Sequence, residues 1–186
     1  LMLNVKHVLE RDNIAGNLAE LGVYKGNSAA VLAYYGYRNN RTCYLFDTYS
    51  GFDQRDLNGI DASVDSGTFS NTSIEGVLGV IGQPYCDACE IIQGYFPKSV
   101  PDNLADQKFA VVSMDCDLYQ PTKAAFDWFY PRMDDGAIFL LHDYSSGIWP
   151  GATQAIDEFC TETSQHLILL PDKSGSAFIR IHRKKI

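Results

Sequence analysis

Short apolar runs alternate along this chain with segments in which apolar residues return every three or four positions, and that alternation marks an α/β domain. The runs predict seven strands, near residues 17–23 ("NLAELGV"), 43–47 ("CYLFD"), 90–93 ("EIIQ"), 109–114, 137–142, 167–170 ("LILL") and 177–182 ("AFIRIH"). Between them the spacing predicts a helix from about Ser28 that stops at Gly36, a residue free to take a left-handed cap. Another helix opens at Pro121, where a first turn tolerates proline. Ala152, Ala155, Ile156, Phe159 and Cys160 fall at i, i+3, i+4, i+7 and i+8, which is one buried helical face. Only "PDKSGS" separates the last two strands, too short for a parallel crossover, so an antiparallel pair is expected at one edge of a mostly parallel sheet.

The polar residues that interrupt this pattern gather at strand ends. In "LAELGVYKGNSAAVLA" the first strand ends with Glu20, Gly22 and Gly26, and Asn27 and Ser28 open the following helix. Glycine there lets the backbone turn and approach a ligand, while free N–H groups at a helix start attract an anion. The second strand ends in Asp47, 25 residues beyond Gly22, where an acid can accept the hydroxyl hydrogens of an adenosine ribose. Positions 22–27 read G-V-Y-K-G-N in place of the dinucleotide fingerprint G-x-G-x-x-G, so a cofactor with a ribose and no pyrophosphate fits better.

Two further runs end in ionisable groups, Phe109–Met114 in Asp115 and Asp117, and Ala137–Leu141 in His142 and Asp143. Ligands of an open parallel sheet bind beyond the carboxyl ends of its strands, and the intervening length suits one helix, so the two ends should share a crevice. Carboxylates with an imidazole can bind a divalent cation. The structural alternatives are that Asp115 caps the helix at Pro121 and that His142 is a satisfied core histidine. Between Phe52 and Ile74 lies a long polar loop rich in Gly and Ser, expected to be a mobile lid or binding loop.

With 186 residues, 46% of them hydrophobic, the chain can close one core, and a single domain over residues 1–186 is expected. A formal charge of -8 and a pI near 4.8 argue against nucleic-acid binding. The one basic run, "RIHRKKI", reads as a solvated strand end. No 18-residue apolar stretch and no leader-like apolar segment appear, so no membrane partner and a cytoplasmic location are expected. Five cysteines are an odd number and suit reduced thiols. Cys86 and Cys89 form a C-x-x-C that lacks both the second pair of a zinc ribbon and the strand-to-helix setting of a redox motif.

Taken together, "ELGVYKGNSA", "LFDTYSGF", "MDCDLYQPT", "FYPRMDDGAIFLLHDY" and "WPGATQAIDEF" resemble the macrocin and mycinamicin O-methyltransferases and the related enzyme that methylates the noviose sugar of novobiocin. The resemblance runs from about Ile14 to Phe159. It implies a Rossmann-like class I methyltransferase sheet with an antiparallel seventh strand, helices on both faces, and S-adenosylmethionine as cofactor. It implies further that Glu20, Gly22, Tyr24, Gly26 and Ser28 surround the methionine part, that Asp47 holds the ribose, and that Gln93, Gly94 and Tyr95 flank the adenine. Asp115 would border the cofactor and, with His142 and Asp143, hold magnesium or another divalent cation. The family has two adjacent aspartates where this chain has His142 and Asp143. Asp115 or His142 would accept the proton of a hydroxylated small molecule, such as a sugar of a natural product. Relatives carry N-terminal helices that help form a lid and an oligomer interface; this chain has little before its first strand, and a homo-oligomer stays open. The residues alone also leave open a nucleotide-cofactor oxidoreductase, a sugar-modifying enzyme on a related fold, and a non-catalytic nucleoside-binding domain.

Overall fold

The computed structural model describes residues 2–183. A first helix, α1 (Met2–Lys6), continues as a π-helical turn over His7–Arg11 and leads into β1 (Asn17–Leu21). Then follow α2 (Asn27–Arg38), β2 (Cys43–Asp47), α3 (Ile74–Ile81), β3 (Cys89–Gln93), β4 (Phe109–Met114), α4 (Tyr119–Phe129), β5 (Ile138–Leu141), α5 (Pro150–Thr163), β6 (Leu167–Leu169) and β7 (Ala177–Arg180). The seven strands form one sheet in the order β3-β2-β1-β4-β5-β7-β6. All neighbours are parallel except β7, which runs antiparallel to both β5 and β6. The α/β class, the strand count and the terminal hairpin therefore match the sequence pattern.

Burial explains why β4 reads as an unbroken apolar run: all six of its residues are buried, with helices on both faces of the sheet. On one face Phe46, Phe109, Val112, Phe126, Phe129 and Phe139 join a core under α4 and α5, where Phe126 and Phe159 stack at 4.0 Å. On the other, Leu18, Leu45, Val111 and Leu140 pack beneath α1, α2 and α3. A register shift between Asn17 and Leu18 against β4 turns Ala110 and Val111 to the same face.

Four expectations change. Gly36 does not cap α2, which runs on to Arg38. Its missing side chain serves close packing instead, because a Cβ there would stand 2.9 Å from the carbonyl oxygen of Arg41. Helix α4 begins two residues before Pro121. The segment before β1 is helical and buries Val5, Val8 and Leu9. Arg183, in the basic tail, is not free in solvent: its guanidinium donates to the carbonyls of Tyr130 and Met133 and lies over the Tyr130 ring. Residues 184–186 of that tail lie outside the described residues. No helix among the described residues is long and apolar enough to cross a membrane.

Candidate active site

Strand β1 sits at the centre of the sheet between β2 and β4, where the direction of chain progression reverses, and a cavity of about 290 Å³ opens at the carboxyl ends of these strands. Its wall includes Gly22 and Tyr24 after β1, Asp47 and Thr48 at β2, Gly94 and Tyr95 after β3, Asp115 and Asp117 after β4, and His142 and Asp143 after β5. A larger, more open groove of about 710 Å³ follows the outer side of α5, and none of these strand-end residues lines it.

On the β1–β2–β3 side the backbone is shaped for a close ligand. Gly22 has φ +85°, and a Cβ on it would overlap the carbonyl oxygen of Asp115, so only glycine fits between the β1 and β4 ends. Asp47 holds the turn: Oδ2 accepts from the N–H groups of Val23 (2.7 Å) and Tyr24 (2.9 Å), and Oδ1 from that of Tyr49 (2.7 Å). A carboxylate offers about four acceptor positions, so roughly one remains for a ribose hydroxyl where the sequence suggested a two-hydroxyl grip. Glu20 is fully buried beneath the start of α2, beside the hydroxyls of Ser28 and Ser113 but without a well-formed hydrogen bond to either. Burial pushes its carboxyl up to about 8, against the pull of the Ser28 and Ser113 hydroxyls and with the charges of Asp115 and Asp47 adding to the rise.

The β4–β5 side is built from charge. His142 Nδ1 lies 3.0 Å from Asp115 Oδ1 and 2.8 Å from Asp143 Oδ2. The hydrogen bond and charge of Asp115, with those of Asp143, raise the imidazole to about 9 despite its partial burial, so it is a cation at neutral pH. Asp117 was noticed in the sequence but given no role there. It lines the same cavity, is 7% exposed, and has its carboxyl raised to about 8 by burial and by the charges of Asp115 and Asp143. Asp115 does not cap α4, whose first N–H groups receive no cap from it, and His142, half exposed, is not a core histidine. Asp115, His142 and Asp143 present ligand atoms within 4.8 Å of one another, the one such cluster among the described residues, so this donor set can hold a divalent cation. The thiols of Cys86 and Cys89 donate to the carbonyls of Gly82 and Tyr85.

The turns after β1, β2, β4 and β5 each contain a non-glycine residue in the left-handed region, Tyr24 (φ 49°), Tyr49 (φ 55°), Asp117 (φ 62°) and Asp143 (φ 57°). Strain of this kind gathers at ligand sites, because surrounding structure must hold it.

The loop after Phe52 forms the outer wall and is tied down at three places. Asp61, 1% exposed in a short 3₁₀ turn, accepts from the Tyr119 N–H at 2.8 Å and so caps α4, the role the sequence offered to Asp115. Asp61 also lies against Gly151 at the start of α5, where any Cβ would overlap its carboxylate. Buried Asp56 accepts from the Tyr95 hydroxyl at 2.8 Å. Phe69 packs edge-on to Tyr24 at 5.0 Å and to Phe52 at 5.6 Å, and Trp149 meets both phenylalanines. Phe52, Phe69 and Asp56 line the cavity, and periodicity gave no signal for them because they lie in an irregular segment.

Of the residues expected at the cofactor, Gly22, Tyr24, Asp47, Gly94, Tyr95 and Asp115 line the cavity. Glu20, Gly26, Ser28 and Gln93 do not: Gly26 starts α2 against Val77, and Gln93 ends an edge strand exposed to solvent. The expected cation set, Asp115, His142 and Asp143, is brought together.

Comparison with known proteins follows the same lines. The family model of Macrocin-O-methyltransferase (TylF) matches residues 2–169. The Mycinamicin III 3''-O-methyltransferase of Micromonospora griseorubida is 24% identical over 172 residues, covering 84% of this chain and 66% of that protein. The 8-demethyl-8-(2,3-dimethoxy-alpha-L-rhamnosyl)-tetracenomycin-C 4'-O-methyltransferase of Streptomyces olivaceus is 25% identical over 152 residues, covering 72% of this chain and 55% of that protein. The chain thus spans less than two thirds of the length of either curated relative. The solved structure of the O-methyltransferase NovP superposes with a TM-score of 0.80 at 22% identity, covering 98% of this chain and 79% of that one.

Proposed function

The chain belongs to the Macrocin-O-methyltransferase (TylF) family, and on that premise we propose that it transfers a methyl group from S-adenosylmethionine to a hydroxyl of a small molecule, a sugar of a natural product. One observation carries the reading: a glycine turn, a strand-end acid and an ionisable cluster from four different strand ends line a single cavity. The two curated relatives are named for O-methylation at the 3'' position of mycinamicin III and at the 4' position of a rhamnosyl tetracenomycin C.

When bound, S-adenosylmethionine supplies a methyl group on a positively charged sulfur, so the protein has to align the acceptor and take its proton. Gly22 admits the cofactor against the β1 turn, and Gly94 and Tyr95 wall the side where the adenine is expected. Asp115, His142 and Asp143 would hold a divalent cation, which lowers the pKa of an acceptor hydroxyl that it binds. His142 would ligate that cation through Nδ1, the atom that without the ion is engaged by two carboxylates, and either engagement suits it poorly for the base role the sequence offered it. Asp117 suits that role better: it lines the same cavity, and its carboxyl, raised to about 8 by burial and by the charges of Asp115 and Asp143, would fall toward the working range of a general base as a bound cation offsets those charges. Phe52 and Phe69, backed by Trp149, line the cavity and offer flat apolar surface to the acceptor.

The test pairs calorimetry with a transfer assay. S-adenosylmethionine should bind and nicotinamide dinucleotides should not, and incubation with deoxysugar glycosides should yield mono-methylated products by mass spectrometry. Binding of the dinucleotide alone would overturn the proposal. Cofactor binding without methylation of any hydroxylated acceptor would reduce the chain to a nucleoside-binding domain.

A further inference from the structure

The cluster at the β4 and β5 ends is not a set of oxygens. One of its three donors is an imidazole nitrogen, and that changes which ions it suits. Magnesium is a hard ion that takes oxygen ligands and gives up water reluctantly. Imidazole is a borderline donor that suits iron, cobalt, nickel or zinc better than magnesium, and affinity for such ions rises along the first row from manganese toward copper. We infer that His142 makes this a site for a first-row transition ion in preference to magnesium, an inference that rests on the cation reading given above.

The geometry supports this beyond residue type. Nδ1 of His142 is the atom that faces both carboxylates, at 3.0 Å and 2.8 Å, so the nitrogen points at the place the oxygens share. Both backbones are fixed by sheet-like hydrogen bonds carried one residue past the strands. The N–H of His142 donates to the Met114 carbonyl at 3.0 Å, and that of Asp115 to the Leu21 carbonyl at 2.9 Å. Asp143, adjacent in sequence, is set in the left-handed region, which keeps its carboxylate on the same side as the imidazole. The donors are therefore held by the main chain, and an ion that displaces the Nδ1 proton finds the nitrogen already in place.

The experiment uses the untagged full chain, so that no added histidines compete, titrated calorimetrically with manganese, cobalt and magnesium chlorides. The visible absorption of bound cobalt serves as a second readout. Cobalt should bind about 100-fold or more tighter than magnesium, with manganese between them. His142→Asp should shrink that ratio by about tenfold or more and shift the cobalt bands, and His142→Gln should weaken cobalt without helping magnesium. Circular dichroism of each variant establishes that it is folded. Equal ratios in the wild type and His142→Asp, or unchanged cobalt bands, overturn the inference while leaving the cation reading intact. Failure of every ion to bind both the wild type and folded His142→Asp overturns the cation reading itself, and the selectivity with it.

Discussion

At the β1–β2–β3 end of the crevice, both oxygens of Asp47 meet backbone N–H groups. At the β4–β5 end, Asp115, Asp117, His142 and Asp143 crowd together with one imidazole as counter-charge. The first end is saturated and shaped by main chain; the second stores electrostatic tension. A binding surface needs fixed shape, and saturation supplies it. A reacting surface needs a group whose proton is loosely held near neutral pH, which follows from burying a carboxylate beside others of its kind, as at Asp117.

The largest expected effect tests the tense side. Asp117→Asn keeps the shape and removes the proton acceptor, so methyl transfer should fall by roughly 10²–10⁴-fold, with S-adenosylmethionine affinity and melting temperature nearly unchanged in calorimetry and thermal unfolding. A drop in both would mean that Asp117 supports the fold. On the saturated side, Gly22→Ala forces a Cβ onto the Asp115 carbonyl in a left-handed conformation. It should cost about 3 kcal/mol or more in stability, a fall in melting temperature of roughly 6–12 °C for a chain of this size, and abolish cofactor binding. Next, Asp47→Ala strips three backbone N–H groups of their acceptor and should weaken cofactor binding by about 1–3 kcal/mol, read by calorimetry. Unchanged affinity would remove Asp47 from the ribose site.

Glu20 is the exception on the saturated side, and pH exposes it. In the unfolded chain its carboxyl loses a proton near 4.5, while in the folded chain it holds one up to about 8, so stability should fall as pH rises across that window. The slope should approach about 1.4 kcal/mol per pH unit. Glu20→Gln should flatten it in denaturant titrations at a series of pH values. His142 adds a second loss at higher pH: its proton stabilises the fold fully below 6.5, and that contribution vanishes as pH climbs to about 9. The smallest effect sharpens the boundary of the cradle. Gln93→Ala should leave cofactor affinity within about 0.5 kcal/mol, because Gln93 is exposed at the end of an edge strand and does not reach the cavity.

What the sequence made legible follows the same division. The strands and the crevice could be read because buried parallel strands print as largely apolar runs with ionisable residues at their ends, as in Phe109–Met114 followed by Asp115, whereas the order of the strands in the sheet could not. The convergence of Asp115 with His142 and Asp143 was legible for the same reason, since His142 and Asp143 end the neighbouring strand, while the choice of these three as a ligand set came from the family resemblance. Gly36 misled, because a glycine that admits a neighbouring backbone looks in sequence like one that ends a helix. The contributions of Phe52, Asp56, Asp61 and Phe69 could not be read at all. They act through contacts across 39 residues for Asp56 and 58 for Asp61, and an irregular loop has no period to reveal them.

Asp61 also sets an order of assembly. Its carboxylate needs the first N–H of α4 and the bare backbone of Gly151 in α5, two sites that meet only after β4, α4, β5 and α5 have packed. Closing the 52–73 segment is therefore a late event in folding and an early one in unfolding, and the outer wall of the crevice can come away while the sheet stays whole. Under mild denaturant a protease should cut this chain first between Phe52 and Ile74, leaving a core that still melts cooperatively but no longer encloses a ligand.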